Sequence, residues 1–153
     1  DCDEKELVNK KEKYYRENNK IKIYPGVEYL INKLQLHQIK TGIVTAGLRE
    51  RINSTVPKKF LDMFDVIISG DDTDKGKPFP DPYLKGIKKL NLSPKDCVIV
   101  ENSPIGVESA KNAKVYCIAI CSTLGVHHFK NADIIFNSFE DMSRSDIFDK
   151  MLG

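Results

Sequence analysis

The fold is decided by the stretch Cys97–Ala113, which reads CVIVENSPIGVESAKNA. Its first four residues, 97–100, are mostly apolar and typical of a buried parallel strand. Ser103 and the proline after it predict the start of a helix, because serine caps free backbone amides and proline has no amide hydrogen. A strand that turns at once into a helix places Glu101 and Asn102 at the carboxyl edge of a sheet. Open α/β folds bind their ligands at that edge.

On either side of this stretch, strand-like and helix-like segments alternate along the chain. Short apolar runs predict strands at 41–45, 65–69, 97–100, 115–120 and 133–136. Helical patterns cover 4–18, 48–56, 103–113 and 146–152, and a short helical turn is predicted at 60–64. A further helix begins at Pro25, with Val27, Leu30, Ile31 and Leu34 on one face. Another begins at Asp81, with Tyr83, Leu84, Ile87 and Leu90 on one face. This alternation predicts an α/β fold, a mostly parallel sheet flanked by helices in three layers.

Composition limits the classes of function. A chain of 153 residues can form one domain with a real core, and a net charge of +2 does not indicate a nucleic-acid partner. No apolar run is long enough for a membrane span and no signal peptide is visible, so no membrane partner is expected. The four cysteines lack the spacing of a metal site or a disulfide scaffold, which favours buried thiols in a reducing cytoplasm.

Polar side chains follow the predicted strands where a phosphate site would lie. Thr45 follows the first strand, Asp72 the second, and Glu101 and Asn102 the third. Lys77 lies in a proline-rich loop that enters a helix. A lysine and a hydroxyl suit phosphate oxygens, and carboxylate or amide oxygens suit a hard cation such as Mg²⁺. These residues together predict a site for phosphate and a metal ion.

Three motifs in this order resemble the haloacid dehalogenase superfamily, in particular its beta-phosphoglucomutase-like branch. The motifs are GIVTAG at 42–47, GKPFPDPY at 76–83 and VIVENSPIGV at 98–107. The resemblance implies a Rossmann-like core at 21–153, with 1–20 as the end of a helical cap. It implies a Mg²⁺-dependent phosphatase or sugar-phosphate mutase acting on a small phosphorylated metabolite. The phosphate-binding residues that the resemblance implies are Thr45, Ala46, Gly47 and Lys77. Two of them, Thr45 and Lys77, are also implied to be catalytic. The implied metal ligands are Glu101 and Asn102, with Asp72 as a weaker candidate.

Two departures from the family pattern matter. Asn102 stands where many members have a second acid, which predicts weaker metal binding. The larger departure is the nucleophilic aspartate of an Asp-x-Asp-Gly-Thr motif, which this sequence lacks. Asp1-Cys2-Asp3 has the spacing, but nothing apolar precedes it and Glu4-Lys5 stands in place of the Gly-Thr turn. Asp72 and Asp74 also have the spacing, but the resemblance places them in a loop between strands. The nucleophile is therefore expected upstream of Asp1, and the chain alone is expected to be inactive.

In the family, the nucleophile follows the central strand of the sheet, between the strands that here end at Thr45 and Glu101. The resemblance thus implies a gap in the sheet, and an unpaired buried strand edge is costly. We expect an upstream fragment, a second chain or a rearranged sheet to fill it. A five-stranded sheet closed directly between these two strands would contradict this expectation.

Other interpretations remain open. A non-catalytic remnant that binds phosphate or a protein partner is the main alternative to an enzyme. A dinucleotide-binding domain is disfavoured because no G-x-G-x-x-G follows a strand. His127 and His128 are predicted to be an exposed pair rather than metal ligands, and Cys117 and Cys121 to be core thiols on one face of a strand. Arg49 either contacts a substrate or lies on a solvated helix face.

Overall fold

A computed structural model describes residues 6, 7, 10, 13, 21, 23–122 and 124–152, without the side chain of residue 152. Residues 6, 7, 10 and 13 are helical and exposed, as expected for the predicted helix 4–18. The rest of that helix lies outside the described residues. The assignment of 1–20 to a cap and 21–153 to the core therefore stays a prediction.

The described chain follows the predicted alternation of helices and strands. The helices are α1 (Val27–Leu36), α2 (Arg49–Thr55), α3 (Lys58–Leu61), α4 (Asp81–Lys89), α5 (Pro104–Asn112), α6 (Phe139–Arg144) and α7 (Ile147–Leu152). The strands are β1 (Gly42–Val44), β2 (Val66–Ile68), β3 (Val98–Glu101), β4 (Tyr116–Ile120) and β5 (Ile134–Phe136). Two 3₁₀ turns, Pro94–Asp96 and Val126–Phe129, complete the set. The α/β class is confirmed.

The strands form two parallel sheets rather than one. β1 pairs with β2, with Ile43 opposite Ile67. β3, β4 and β5 form the second sheet in that order, with Ile99 opposite Cys117. Within the described residues, no hydrogen-bonded ladder joins β1 to β3. The carboxyl ends of both strands nevertheless meet, because Lys77 contacts the last residue of each.

A cavity of about 600 Å³ lies between the two sheets. β1 and β3 line it from either side, and α1, α4 and α7 contribute mostly apolar side chains. Val98 and Val100 face this cavity and are 41% and 42% exposed. The prediction that 97–100 is a buried strand is therefore wrong for one of its faces, because nothing described pairs with or covers that side.

The core lies around β4, whose residues Cys117, Ile118 and Ala119 are fully buried. On one face β4 packs with α5, α4 and Phe129 of the second 3₁₀ turn; on the other, with Met142 of α6. Helices on both faces explain why an almost continuous apolar run, 115–120, forms this strand. The three layers are thus present around the second sheet.

Several details differ from the sequence predictions. Leu84 is exposed, and the buried face of α4 instead includes Gly86, which packs against Ile68 and Val44. Cys121 lies one residue beyond the end of β4, so it does not share a strand face with Cys117. Helix α6 was not predicted. No helix in the described part of the chain is both long and apolar enough to cross a membrane.

Candidate functional site: a lysine–carboxylate centre

The centre of the site is an ion pair between Lys77 and Glu101. Lys77 lies in the loop before α4, and Glu101 is the last residue of β3. The Lys77 ammonium contacts Glu101 Oε1 and also donates to the Val44 carbonyl oxygen, at 3.2 Å. Both side chains of the pair are almost buried, with 10% and 7% exposed. The loop lysine is thereby fixed at the carboxyl ends of β1 and β3 together.

Five donors hold the Glu101 carboxylate. Lys77 and the Tyr83 hydroxyl (2.5 Å) share Oε1. The amides of Asn102 (2.9 Å) and Ser103 (3.1 Å) and the Ser103 hydroxyl (3.0 Å) donate to Oε2. Burial acts to raise the pKa of Glu101, but the Lys77 charge and the hydrogen bonds from Lys77, Tyr83 and Ser103 outweigh burial and hold this pKa below its ordinary value. Glu101 is therefore an anion with a fixed orientation.

The start of α5 is built around that carboxylate. The Ser103 hydroxyl accepts from the Gly106 amide at 3.1 Å, which is the predicted helix cap, while it donates to Glu101. A Cβ atom on Gly106 would fall on the Glu101 carboxyl group, at much less than 3.0 Å. Glycine at this position lets the carboxylate lie directly against the first turn of the helix.

The loop after β1 carries the other predicted phosphate ligands. The Thr45 hydroxyl accepts from the Gly47 amide at 3.1 Å, so its own hydrogen stays available to a ligand. The Ala46 amide has no hydrogen-bond partner among the described residues, and Ala46 is exposed. Gly70, which follows β2, packs closely against this loop. Its amide donates to the Gly47 carbonyl oxygen, and the Ala46 carbonyl lies where a Cβ atom of Gly70 would be.

Asp72 lies in a separate cluster. Its carboxylate contacts the Arg49 guanidinium and accepts from the Ser69 amide and hydroxyl, each at 2.7 Å. These bonds to Ser69, and then the pairing with Arg49, lower the pKa of Asp72 well below its ordinary value despite some burial. Arg49 also donates to the Ile67 carbonyl oxygen at 2.7 Å. Arg49 is thus held in an ion pair and its side chain is 34% exposed. Its contact with a substrate and the metal role of Asp72 both stay predictions.

The candidate metal ligands border a second cavity, of about 570 Å³, at the carboxyl ends of β3 and β4. Asn102 is exposed there and lies 3.5 Å from the Ser122 hydroxyl. Oxygen donors of this kind fit Mg²⁺. The described residues contain no group of three or more His, Cys, Asp or Glu that could hold a metal. Within the described residues, Glu101 and Asn102 are thus not part of a larger cluster of such side chains.

None of the described cysteines, and neither His127 nor His128, forms a hydrogen bond with the Lys77 or Glu101 side chain. Cys97, Cys117 and Cys121 are free thiols, and Cys2 lies outside the described residues. Burial, followed by the nearby Glu101 charge, raises the pKa of Cys117 to about 12, which keeps it an unreactive thiol. His127 and His128 are exposed, with ring centroids 4.0 Å apart, as expected for a surface pair.

Sequence reasoning missed the part that Tyr83 takes in the site. The helical period placed Tyr83 on an apolar face, and only 6% of the residue is indeed exposed. Its hydroxyl, however, reaches Glu101, and burial followed by the Glu101 charge raises the pKa of Tyr83 far above its ordinary value. A buried tyrosine needs a partner for its hydroxyl, and this requirement was the available signal.

The fold and the site define a class: an α/β protein with a lysine–carboxylate pair at the carboxyl edge of parallel strands. A family model described as haloacid dehalogenase-like hydrolase matches residues 2–120. The chain belongs to this family.

Three similar proteins illustrate the relationship. A bifunctional riboflavin kinase/FMN phosphatase of Arabidopsis thaliana is 34% identical over 81% of this chain and 34% of its own length. A haloacid dehalogenase hydrolase of Entamoeba histolytica is 29% identical, with a TM-score of 0.84 over 100% of this chain and 73% of its own. A beta-phosphoglucomutase of Clostridium difficile shares the fold, with 21% identity and a TM-score of 0.77 over 97% of this chain and 64% of its own. The chain thus spans about a third of the first relative.

Proposed function

We propose that this chain forms the phosphate-binding core of a phosphoryl-transfer enzyme, a phosphatase or sugar-phosphate mutase acting on a small phosphorylated metabolite. One observation carries the proposal: Lys77 is fixed between the ends of β1 and β3, next to Thr45. An ammonium group has three N–H donors, and two of those of Lys77 have partners. The third can bind a phosphate oxygen, together with the Thr45 hydroxyl and the Ala46 amide.

The proposed mechanism assigns each group a task. Thr45, Ala46 and Lys77 orient the phosphoryl group and stabilise the charge that develops on its oxygens. Gly47 completes the loop by fixing the Thr45 hydroxyl. Glu101 and Asn102, with Asp72 as a weaker candidate, would hold Mg²⁺. When bound, this ion would offset phosphate charge.

The nucleophile and the missing ligands are proposed to come with a strand that fills the cavity between β1 and β3. The apolar lining of this cavity and the unpaired strand edges that border it support this idea. An upstream fragment or a second chain could supply the strand, with an aspartate at its carboxyl end as the attacking group. We propose that the 153-residue chain alone does not turn over an aryl phosphate with Mg²⁺. Metal-dependent turnover by the verified chain would contradict this assignment.

Phosphate binding can be tested without turnover. In an NMR titration with inorganic phosphate, Lys77→Met should weaken binding about 10- to 100-fold, the loss expected for one charged hydrogen bond. Lys95→Met is the matched control, because Lys95 is exposed beside the amino end of β3, on the opposite edge of the sheet. Equal affinities for Lys77→Met and wild type would refute the proposed site.

The alternative of a non-catalytic phosphate- or partner-binding protein has one observation in its favour: both oxygens of the Glu101 carboxylate already accept hydrogen bonds from described residues, two on Oε1 and three on Oε2, which leaves few lone pairs for a cation. Calorimetry with Mg²⁺ on the chain complexed with its missing strand separates the two functions. Mg²⁺ binding and turnover support the enzyme, and phosphate binding without either supports the alternative.

We also propose a reducing cytoplasm as the location. The three free thiols among the described residues support it.

A further inference from the structure

Tyr83 contacts both members of the central ion pair. Its hydroxyl donates to Glu101 Oε1 at 2.5 Å, the oxygen that Lys77 also contacts. Its ring lies beneath the Lys77 ammonium, with 4.8 Å between the nitrogen and the ring centroid. Tyr83 belongs to α4, and the surrounding core leaves only 6% of it exposed. The pair therefore rests on a rigid, buried support.

We infer that Tyr83 is a positioning residue that keeps the Lys77 ammonium available to phosphate. Two donors share Glu101 Oε1, so the carboxylate charge is divided between Tyr83 and Lys77. The ring attracts the ammonium from a second direction, and the Val44 carbonyl from a third. This arrangement leaves Lys77 one N–H without a partner among the described residues. The inference rests on the proposed phosphate site.

Removal of the hydroxyl should change this balance. In Tyr83→Phe the ring and its contact with Lys77 remain, but Glu101 Oε1 loses its second donor. The carboxylate and the ammonium then pair more closely, because nothing else shares the charge of that oxygen. We expect Lys77 to move toward Glu101 and away from the Val44 carbonyl, so that its third donor no longer matches a phosphate bound at Thr45.

The first measurement is affinity for inorganic phosphate. Tyr83→Phe should weaken binding about three- to tenfold, less than Lys77→Met does, because it misaligns the Lys77 donor without removing the positive charge. Tyr29→Phe is the matched control, because Tyr29 is 72% exposed on α1, and its affinity should equal that of wild type. In a Lys77→Met background, Tyr83→Phe should have no further effect, since a positioning residue acts through its partner.

The second measurement does not depend on phosphate. With ¹⁵N-labelled lysine, the Lys77 ζ-ammonium signal should shift in Tyr83→Phe, because the ammonium changes its position between Glu101 and Val44, and should stay unchanged in Tyr29→Phe. A merely structural tyrosine would lower the melting temperature and leave this signal in place. That result, or unchanged phosphate affinity where wild type binds phosphate, would overturn the inference. A shifted signal in a protein that does not bind phosphate would support the positioning role and refute the proposed function.

Discussion

Gly106→Ala should destabilise the chain, although alanine is the better helix former. The added methyl group would overlap the Glu101 carboxyl group, at less than 3.0 Å from its atoms. Because that carboxylate is almost buried and held by five donors, it can move only by losing hydrogen bonds and separating from Lys77.

The magnitude follows from two opposing effects. Disrupting a buried ion pair costs about 3–5 kcal/mol, whereas replacing glycine by alanine within a helix gains at most about 1 kcal/mol. The net loss is about 2–4 kcal/mol, which in a chain of this size lowers the melting temperature by roughly 5–15 °C.

Thermal and urea unfolding followed by circular dichroism measure this loss directly. Gly76→Ala is the matched control, because a Cβ atom at Gly76 meets nothing within 4 Å. It should change stability by less than about 0.5 kcal/mol. If Gly106→Ala were as stable as Gly76→Ala, the carboxylate could not lie against α5 as described, and the reasoning for the site would fail.

Two further predictions test the second sheet. Asp133 accepts from the Cys117 amide (2.7 Å) and from Lys111 (2.6 Å), and although burial opposes it, these donors lower the pKa of Asp133. The Asp133 carboxylate therefore stabilises the folded state fully when the pH is above its ordinary pKa of 3.8. This stabilisation is lost as the pH falls through the lower pKa of the folded state. Asp133→Asn should cost about 1–2 kcal/mol in urea unfolding near neutral pH. The cost should fall progressively as the pH decreases below 3.8, and a cost independent of pH would contradict this. Ile118 is fully buried, so Ile118→Ala should lower the free energy of unfolding by about 2–5 kcal/mol in the same assay. Ile105 is half-exposed, so Ile105→Ala should change it very little. Similar losses for the two variants would show that β4 is not the core.

Local signals predicted most elements because each depends on neighbours in sequence. The apolar run 115–120 formed β4, and the cap at Ser103 formed as expected. Helix α6 had an overlooked signal of the same kind, since the Ser138 hydroxyl accepts from the Asp141 amide three residues later. Careful reading of capping residues would have found it.

Other features could not be predicted because they join distant parts of the chain. The partner of Asp72 is Arg49, 23 residues away, although both were candidates for ligand binding. Leu84 fits the helical period as well as Tyr83 does, but 41% of Leu84 stays exposed because the described elements cover its side of α4 only in part. Periodicity shows that a face exists, and only packing shows how far that face is covered.

The sequence by itself determined the α/β class, the family, and the positions of Thr45, Lys77 and Glu101 after strands or before a helix. These follow from local backbone preferences and motif spacing, which act over a few residues. The tertiary structure alone shows that, among the described residues, no ladder joins β1 to β3, and that Lys77, Tyr83 and Ser103 all hold one carboxylate. A buried charge is stable only when donors surround it, and these donors can come from any part of the chain that packs nearby. Separation along the sequence therefore does not predict which residues they are.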